Sequence, residues 1–190
     1  MAKISSESLD PGSTIGILGG GQLGRMTATA ASRLGYIVHI YSPDEDAPAK
    51  QVSSIYTTAS YDDVDKLSSF AQSVDVVTFE FENIPIESLL AIQNSVLIRP
   101  GYRALEVAQD RLIEKKFLSD KAKIKTAPFY ECNNIDDLKT ATKYLNKSAI
   151  LKTRRLGYDG KGQHKINLID DFKDLNIDFT KEYILEKLVK

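Results

Sequence analysis

Short, nearly continuous apolar runs alternate along the first half of the chain with segments whose apolar residues recur every three or four positions. "TIGIL" (Thr14–Leu18) is a β-branched run entering a group of glycines, and it predicts a buried strand. "GQLGRMTATAASRLG" follows with Leu23, Met26, Ala30 and Leu34 at helical spacing, and Gly35 closes the helix. "YIVHIYS" and "SIYTTAS" read as second and third strands, and "DDVDKLSSFAQ" as a helix capped by aspartates. "VDVVTFEFENIP" is a fourth strand ending in a turn, and "SVLIRPG" a fifth, stopped by Pro100 and Gly101. Apolar strands alternating with helices predict a doubly wound α/β domain with a parallel sheet, over residues 14–100.

After residue 100 the pattern changes. "YRALEVAQDRLIEKKFLSDKA" predicts charged helices. The strands "PFYECN", "AILKTRR", "QHKIN" and "YILEKLVK" then alternate with helical "IDDLKTATKYLN" and "DDFKDL", which predicts a smaller α+β unit with antiparallel strands. The chain stops inside the last of these strands, with Ile184, Leu185, Leu188 and Val189 lacking a partner surface, so a truncated domain is expected.

Composition narrows the function class. The 190 residues are 42% hydrophobic and 27% charged, the ordinary range for a soluble globular protein. No apolar run reaches the ~18–20 residues needed to span a bilayer. The polar start "MAKISSESLDPGS" reads as a flexible tail over residues 1–13 and not as a secretory signal. One cysteine, Cys132, excludes an internal disulfide, and with only His39 and His164 beside it no metal site is expected within the chain. His39 is expected to be a packed strand residue, and Cys132 an inert, partly buried thiol. A cytoplasmic location fits this usage. The net charge of −1 hides an asymmetry: residues 1–100 hold 6 Lys/Arg and 12 Asp/Glu, residues 101–190 hold 19 and 14. The basic second half suits an anion such as nucleotide phosphate, although solvated helix faces account for it equally well. Its cations are dispersed among acids without interleaved aromatics, which disfavours a nucleic-acid groove.

Two glycine-rich stretches carry the candidate chemistry. In "ILGGGQLGRM" the spacing Gly19-x-Gly21-x-x-Gly24 sits between a strand and a helix, where backbone N–H groups and the helix dipole meet an anion. A dinucleotide, another phosphate ligand and a purely structural tight turn all fit that spacing. The acidic residue that would bind a dinucleotide's ribose is Asp44, but it lies past Pro43, out on the loop. In "ILKTRRLGYDGKGQ" a strand delivers Lys152, Arg154 and Arg155 to a loop punctuated by Gly157, Gly160 and Gly162, with Lys161 inside it. Glycines let such a backbone close over phosphates, and a plain solvated turn has little use for so many cations.

"GGGQLGRM", "FEFENIP", "DRLIEKKFL" and "LKTRRLGYDGKGQ", in that order, resemble the N5-carboxyaminoimidazole ribonucleotide synthetases, ATP-grasp ligases of purine biosynthesis. The resemblance covers the chain after its N-terminal tail and implies no NAD. It implies a pre-ATP-grasp domain over residues 14–108 and an ATP-grasp small subdomain, incomplete at its C-terminus, over 109–190. Such enzymes carboxylate the amine of 5-aminoimidazole ribonucleotide with bicarbonate, converting ATP to ADP and phosphate. Bicarbonate is a poor electrophile, and phosphorylation activates it; the first step is mostly positioning and charge neutralisation.

By match to the family's motifs, Arg111 and Lys152 contact ATP phosphates, and Gly157, Tyr158, Asp159, Gly160, Lys161, Gly162 and Gln163 form the loop that closes over them. Tyr158, Asp159 and Lys161 face the imidazole and bicarbonate; Asp159 orients or deprotonates the amine, and Lys161 holds carboxyphosphate. Glu186, Lys187, Leu188 and Val189 match the adenine-reading hinge. Gly21, Gln22, Leu23 and Glu80 match the ribonucleotide side, the turn as a phosphate cradle and Glu80 as a substrate contact. Glu80 and Glu82 stand two apart in the predicted fourth strand, and alternation puts them on one face. Mg²⁺ is implied, with its ligands expected beyond residue 190, as is a homodimer of the intact protein. The 190 residues alone are expected to be inactive. Two alternatives stay open: a related ATP-grasp ligase or transformylase acting on glycinamide ribonucleotide, and a non-catalytic nucleotide-binding remnant.

Overall fold

The computed structural model describes residues 8–146, 148–157, 162–167, 172 and 176–189. Contacts divide the chain into two units, Met1–Glu106 and Val107–Lys190.

The first unit is a five-stranded parallel sheet. Strands β1 (Thr14–Leu18), β2 (Ile37–Ser42), β3 (Ile55–Thr58), β4 (Val76–Phe79) and β5 (Leu97–Ile98) take the order β3-β2-β1-β4-β5. Helices α1 (Gln22–Arg33), α2 (Val64–Gln72) and α3 (Ile86–Ile92) connect them. Because successive strand residues point to opposite faces, Ile17 and Leu18 anchor different cores. Ile17 packs with Ala28 and Ala31 of α1, whereas Leu18 packs with Leu67 and Phe70 of α2 and Leu89 and Ile92 of α3. Burial of both faces is what the continuous apolar runs require. Strand order reverses between β1 and β4, so the crevice of this sheet opens at their C-terminal ends.

Three features depart from the sequence pattern. The apolar stripe of α1 faces outward: Leu23, Met26 and Leu34 are exposed, and Gly24, Ala28 and Ala31 form the buried face. Small residues let the helix lie close on the sheet, and that outweighs the larger side chains' spacing. Strand β4 stops at Phe79, so Glu80 and Glu82 lie in the following turn and the alternation argument for a shared face does not apply. Helix α3 lies between the stretches "VDVVTFEFENIP" and "SVLIRPG", where the sequence pattern assigns no element. At the N-terminus residues 1–7 are outside the described set, but the segment from Leu9 is tied down: Tyr36 Oη donates to Leu9 O at 2.7 Å and Gly12 N to Gly35 O at 2.8 Å.

The second unit begins with helices α4 (Tyr102–Ala108, which straddles the division) and α5 (Arg111–Lys116), followed by a π-helical turn, Phe117–Lys121. Helix α6 (Ile135–Leu145) packs on an antiparallel sheet of β6 (Phe129–Cys132), β7 (Ala149–Thr153), β8 (Gln163–Ile166) and β9 (Tyr183–Lys187), ordered β6-β9-β7-β8. Asn134 caps α6 by accepting from Asp136 N and Asp137 N. The expected helix "DDFKDL" falls mostly outside the described residues.

Strand β9 overturns one expectation. It is an interior strand, hydrogen-bonded to β6 and to β7, with Ile184 and Leu185 fully buried. The sheet itself is their partner surface; only Val189 remains strongly exposed.

Leu185→Ala should therefore cost about 3 kcal/mol in chemical denaturation, because it empties a packed site at the centre of the sheet. Met26→Gln should change stability by less than about 0.5 kcal/mol, since its side chain is already in water. A Met26 variant as unstable as the Leu185 variant would mean that α1 packs by its apolar stripe after all.

Candidate functional site

In the first unit the glycine turn closes on a carboxylate. Gly21 is the N-cap of α1, and its N–H donates to Glu80 Oε1 at 2.8 Å. Gly19 has φ +112°, and a Cβ there would stand 2.7 Å from Glu80 Oε1, so glycine is required twice over. The positive end of α1 thus meets an anion supplied by the protein itself. Of the expected phosphate cradle, the Gly21 N–H is committed to Glu80, while Gln22 and Leu23 lie exposed on the first turn of α1. Glu82 is exposed in the turn beyond.

An aromatic group stands beside this turn. Tyr61 stacks on Tyr41 (centroids 6.1 Å) and on Phe81 (6.5 Å). Burial, aided by the Glu80 charge and opposed by a hydrogen bond with Ser42, pushes the Tyr61 hydroxyl up to about 12. It is a neutral donor at physiological pH. His39 is a packed strand residue, with Nδ1 2.9 Å from Ser73 Oγ and Nε2 2.8 Å from Thr57 Oγ1, and burial lowers its pKa.

In the second unit most of the loop's cations hold the protein together. Arg154 donates to both oxygens of Asp110, with Nη2–Oδ2 at 2.7 Å, and lies 3.0 Å from Glu131 and 3.3 Å from Glu182. Asp110 also caps α5, accepting from Leu112 N and Ile113 N. Burial would raise the Asp110 carboxyl, but hydrogen bonds from Arg154, Ile113 and Leu112, together with the Arg154 charge, hold it below its ordinary value. Arg155 Nη2 donates to Gln109 Oε1 at 2.8 Å. Arg111 donates to the carbonyls of Thr153 and Gly157, bridging the strand end and the loop mouth. Across that mouth Thr153 N donates to Gly162 O, and Gly162 adopts φ +69° with Thr153 Oγ1 only 2.8 Å from where a Cβ would lie. A cavity of about 590 Å³ opens between Arg154–Gly157, Gly162 and the turn Thr180–Glu182.

Lys152 is placed differently. The register pairs Ile150 with Glu186 and Lys152 with Ile184, so Lys152 and Glu186 lie diagonally on one face of the sheet. Lys152 Nζ is 3.2 Å from Glu186 Oε2, and Lys115 Nζ of α5 reaches the same oxygen, also at 3.2 Å. Lys115, Asp110 and Gln109 were not singled out from sequence. The available signals were an aspartate immediately before a helical run and the i,i+4 spacing of Arg111 and Lys115.

Other expected residues have these places. Gln163 is exposed at the start of β8, opposite Lys152. Lys187 N donates to Pro128 O and Leu188 N to Ser148 O, fixing the segment after β9. Tyr158, Asp159, Gly160 and Lys161 lie outside the described residues. Cys132 is fully buried, its thiol pushed up to about 12 by burial and by the Asp137 charge. Among the described residues no three His, Cys, Asp or Glu side chains are grouped to hold a metal, and no helix is long and apolar enough to cross a membrane.

Comparison with known proteins places this geometry. Residues 13–109 match the family described as the ribonucleotide synthetase preATP-grasp domain. The chain belongs to that family. Residues 117–190 match the ATP-grasp domain, so the preATP-grasp sheet is followed by ATP-grasp sequence. The chain is similar to the N5-carboxyaminoimidazole ribonucleotide synthase of Brucella melitensis, at 46% identity over 169 residues, 89% of this chain and 46% of that protein. Among solved structures it resembles the Staphylococcus aureus N5-carboxyaminoimidazole synthetase complexed with ADP, at TM-score 0.86 and 42% identity over 95% of this chain and 48% of that one. It also resembles the Aspergillus clavatus synthase in complex with ADP and 5-aminoimidazole ribonucleotide, at TM-score 0.76 and 26% identity over 94% and 47% of the two chains. The chain spans about half the length of the curated relatives it matches.

The Asp110–Arg154 pair makes stability depend on acid. The folded carboxyl titrates below its ordinary 3.8, so the pair's contribution is complete above that value and is lost as pH falls through the folded pKa. Between about pH 5 and about pH 2 the protein should therefore lose stability more steeply than Asp110→Asn, which keeps the capping oxygen but not the charge. Parallel urea titrations across that range would refute the assignment if the two proteins declined together.

Proposed function

We propose that the protein containing this chain is an ATP-dependent ligase that carboxylates 5-aminoimidazole ribonucleotide with bicarbonate, forming N5-carboxyaminoimidazole ribonucleotide, ADP and phosphate. The observation that carries the reading is the match, over 95% of the chain, to a synthetase holding ADP. The local chemistry supports it: two lysines around one buried carboxylate leave positive charge on the strand beside the hinge segment Glu186–Val189. ATP is bound in this reading by Lys152 and Arg111 at its phosphates, by the loop Gly157–Gln163, and by Glu186, Lys187, Leu188 and Val189 at its base. Glu186 serves through its backbone, because its side chain is engaged with the lysines. Asp159 and Lys161 act on the amine and on the activated bicarbonate, with Tyr158 against the imidazole ring.

On the ribonucleotide side the reading keeps Gly21, Gln22, Leu23 and Glu80. A carboxylate fixed by Gly21 N–H repels phosphate and accepts from hydroxyl or amine donors, so Glu80 suits the neutral part of a ribonucleotide. Phosphorylation of bicarbonate needs its anionic charge neutralised, which Mg²⁺ would supply. The described residues offer no cluster of His, Cys, Asp or Glu for that ion. The boundaries 14–108 and 109–190, a cytoplasmic location and a homodimer belong to the same proposal, as does the absence of a nucleic-acid partner.

The test is phosphate release from ATP by the intact protein, with and without 5-aminoimidazole ribonucleotide and bicarbonate. Stimulation by both is expected, and Lys152→Ala should lower kcat/KM for ATP by about 100-fold, through loss of a phosphate contact in a partly desolvated site. Asp159→Asn and Lys161→Ala should abolish ribonucleotide-dependent turnover. Stimulation by glycinamide ribonucleotide instead would transfer the assignment to the related ligases. Silence with either substrate would leave a nucleotide-binding remnant.

A further inference from the structure

The cluster at Glu186 holds more positive charge than that carboxylate can balance. Its Oε2 lies 3.2 Å from Lys115 Nζ and 3.2 Å from Lys152 Nζ, and the Glu186 side chain is only 10% exposed. The two lysine side chains are 18% and 23% exposed, so their charges are partly shielded from water. These three residues together carry one net positive charge, held by two strands and a helix.

Lys152 paired with Glu186 alone would be a neutral dipole, with little long-range attraction for a phosphate and a geometry in which the carboxylate folds fully onto its one partner. Lys115 changes both terms. It draws the same carboxylate oxygen from the side of α5, and it restores a net charge beside the strand. An ammonium has three donors, so one bond to Glu186 leaves Lys152 able to donate to an anion. The Arg154 cation is placed otherwise, being ringed by Asp110, Glu131 and Glu182.

We propose that Lys115 is a positioning residue for nucleotide binding: by sharing Glu186 with Lys152 it keeps the Lys152 ammonium available to phosphate oxygens and keeps the site net positive. The inference rests on the nucleotide-binding reading above. It assigns Lys115 no contact with the nucleotide.

Calorimetric binding of ADP and of adenosine to the intact protein tests it, using Lys115→Met and Lys115→Arg. Removing one charge near the phosphates should weaken ADP about tenfold and leave adenosine within about twofold, and arginine should restore most of the ADP affinity. Should the methionine variant fail to fold, Lys115→Gln carries the same comparison. Unchanged ADP binding in the charge-removed variant, or an equal loss of ADP and adenosine, would overturn the positioning role. Failure of the unsubstituted protein to bind either ligand would instead overturn the nucleotide reading on which it depends.

Discussion

The second unit depends on the pairing of Arg154 with Asp110. Asp110 is 2% exposed, caps α5 with one oxygen and receives the Arg154 guanidinium on both. The same guanidinium reaches Glu131 on β6 and Glu182 just before β9, while the Arg154 backbone bonds Arg111 N and Glu182 O. Helix, loop mouth and two strands are therefore referred to one planar fork, a geometry lysine lacks. Losing Arg154 strands the buried Asp110 charge, typically at a cost of about 3–5 kcal/mol. Losing Asp110 leaves Arg154 with Glu131 and Glu182 but removes the cap of α5, which carries Arg111 and Lys115. The pair therefore sets where the side chains of α5 stand relative to the end of β7.

The first unit solves a related problem differently. A helix N-terminus at the switch point of a parallel sheet attracts anions, and here Glu80 supplies one from just past the end of the neighbouring strand, β4. Gly19, Gly21 and Gly24 are crowded by that side chain, so the G-x-G-x-x-G spacing serves an internal carboxylate as strictly as it serves a phosphate elsewhere. The spacing alone is thus mute about the ligand. What it specifies is a tight turn, and the acid that fills the turn comes from a stretch 59 residues distant.

Most of the parallel sheet was legible because its strands are buried on both faces and read as apolar runs bounded by glycine and proline. The face of α1 was not. Leu23, Met26 and Leu34 satisfy helical periodicity, yet close approach favours Gly24, Ala28 and Ala31, and periodicity scores size without scoring fit. The end of β4 was missed for a similar reason: "TFEFEN" keeps an alternating pattern past the point where the chain turns to bring Glu80 back to Gly21. The interior position of β9 was hidden because its partners on either side are β6 and β7, both distant in sequence. Family resemblance supplied the site residues that periodicity could not, but it carried no information on which cations already had partners.

The partners of each cation set what it does in the basic loop. Counting charges makes Lys152, Arg154 and Arg155 equivalent, three cations delivered by one strand toward three glycines. Register and partners separate them. Arg154 is neutralised by three carboxylates and Arg155 is held by Gln109, so both build the loop mouth. Lys152 shares a single carboxylate with Lys115, and that sharing depends on Glu186 sitting two residues along β9 from the position opposite Lys152. A shift of one residue in the β7–β9 pairing would send Glu186 to the other face and leave both lysines without it. The electrostatic character of the site therefore follows from strand register more directly than from the number of basic residues around it.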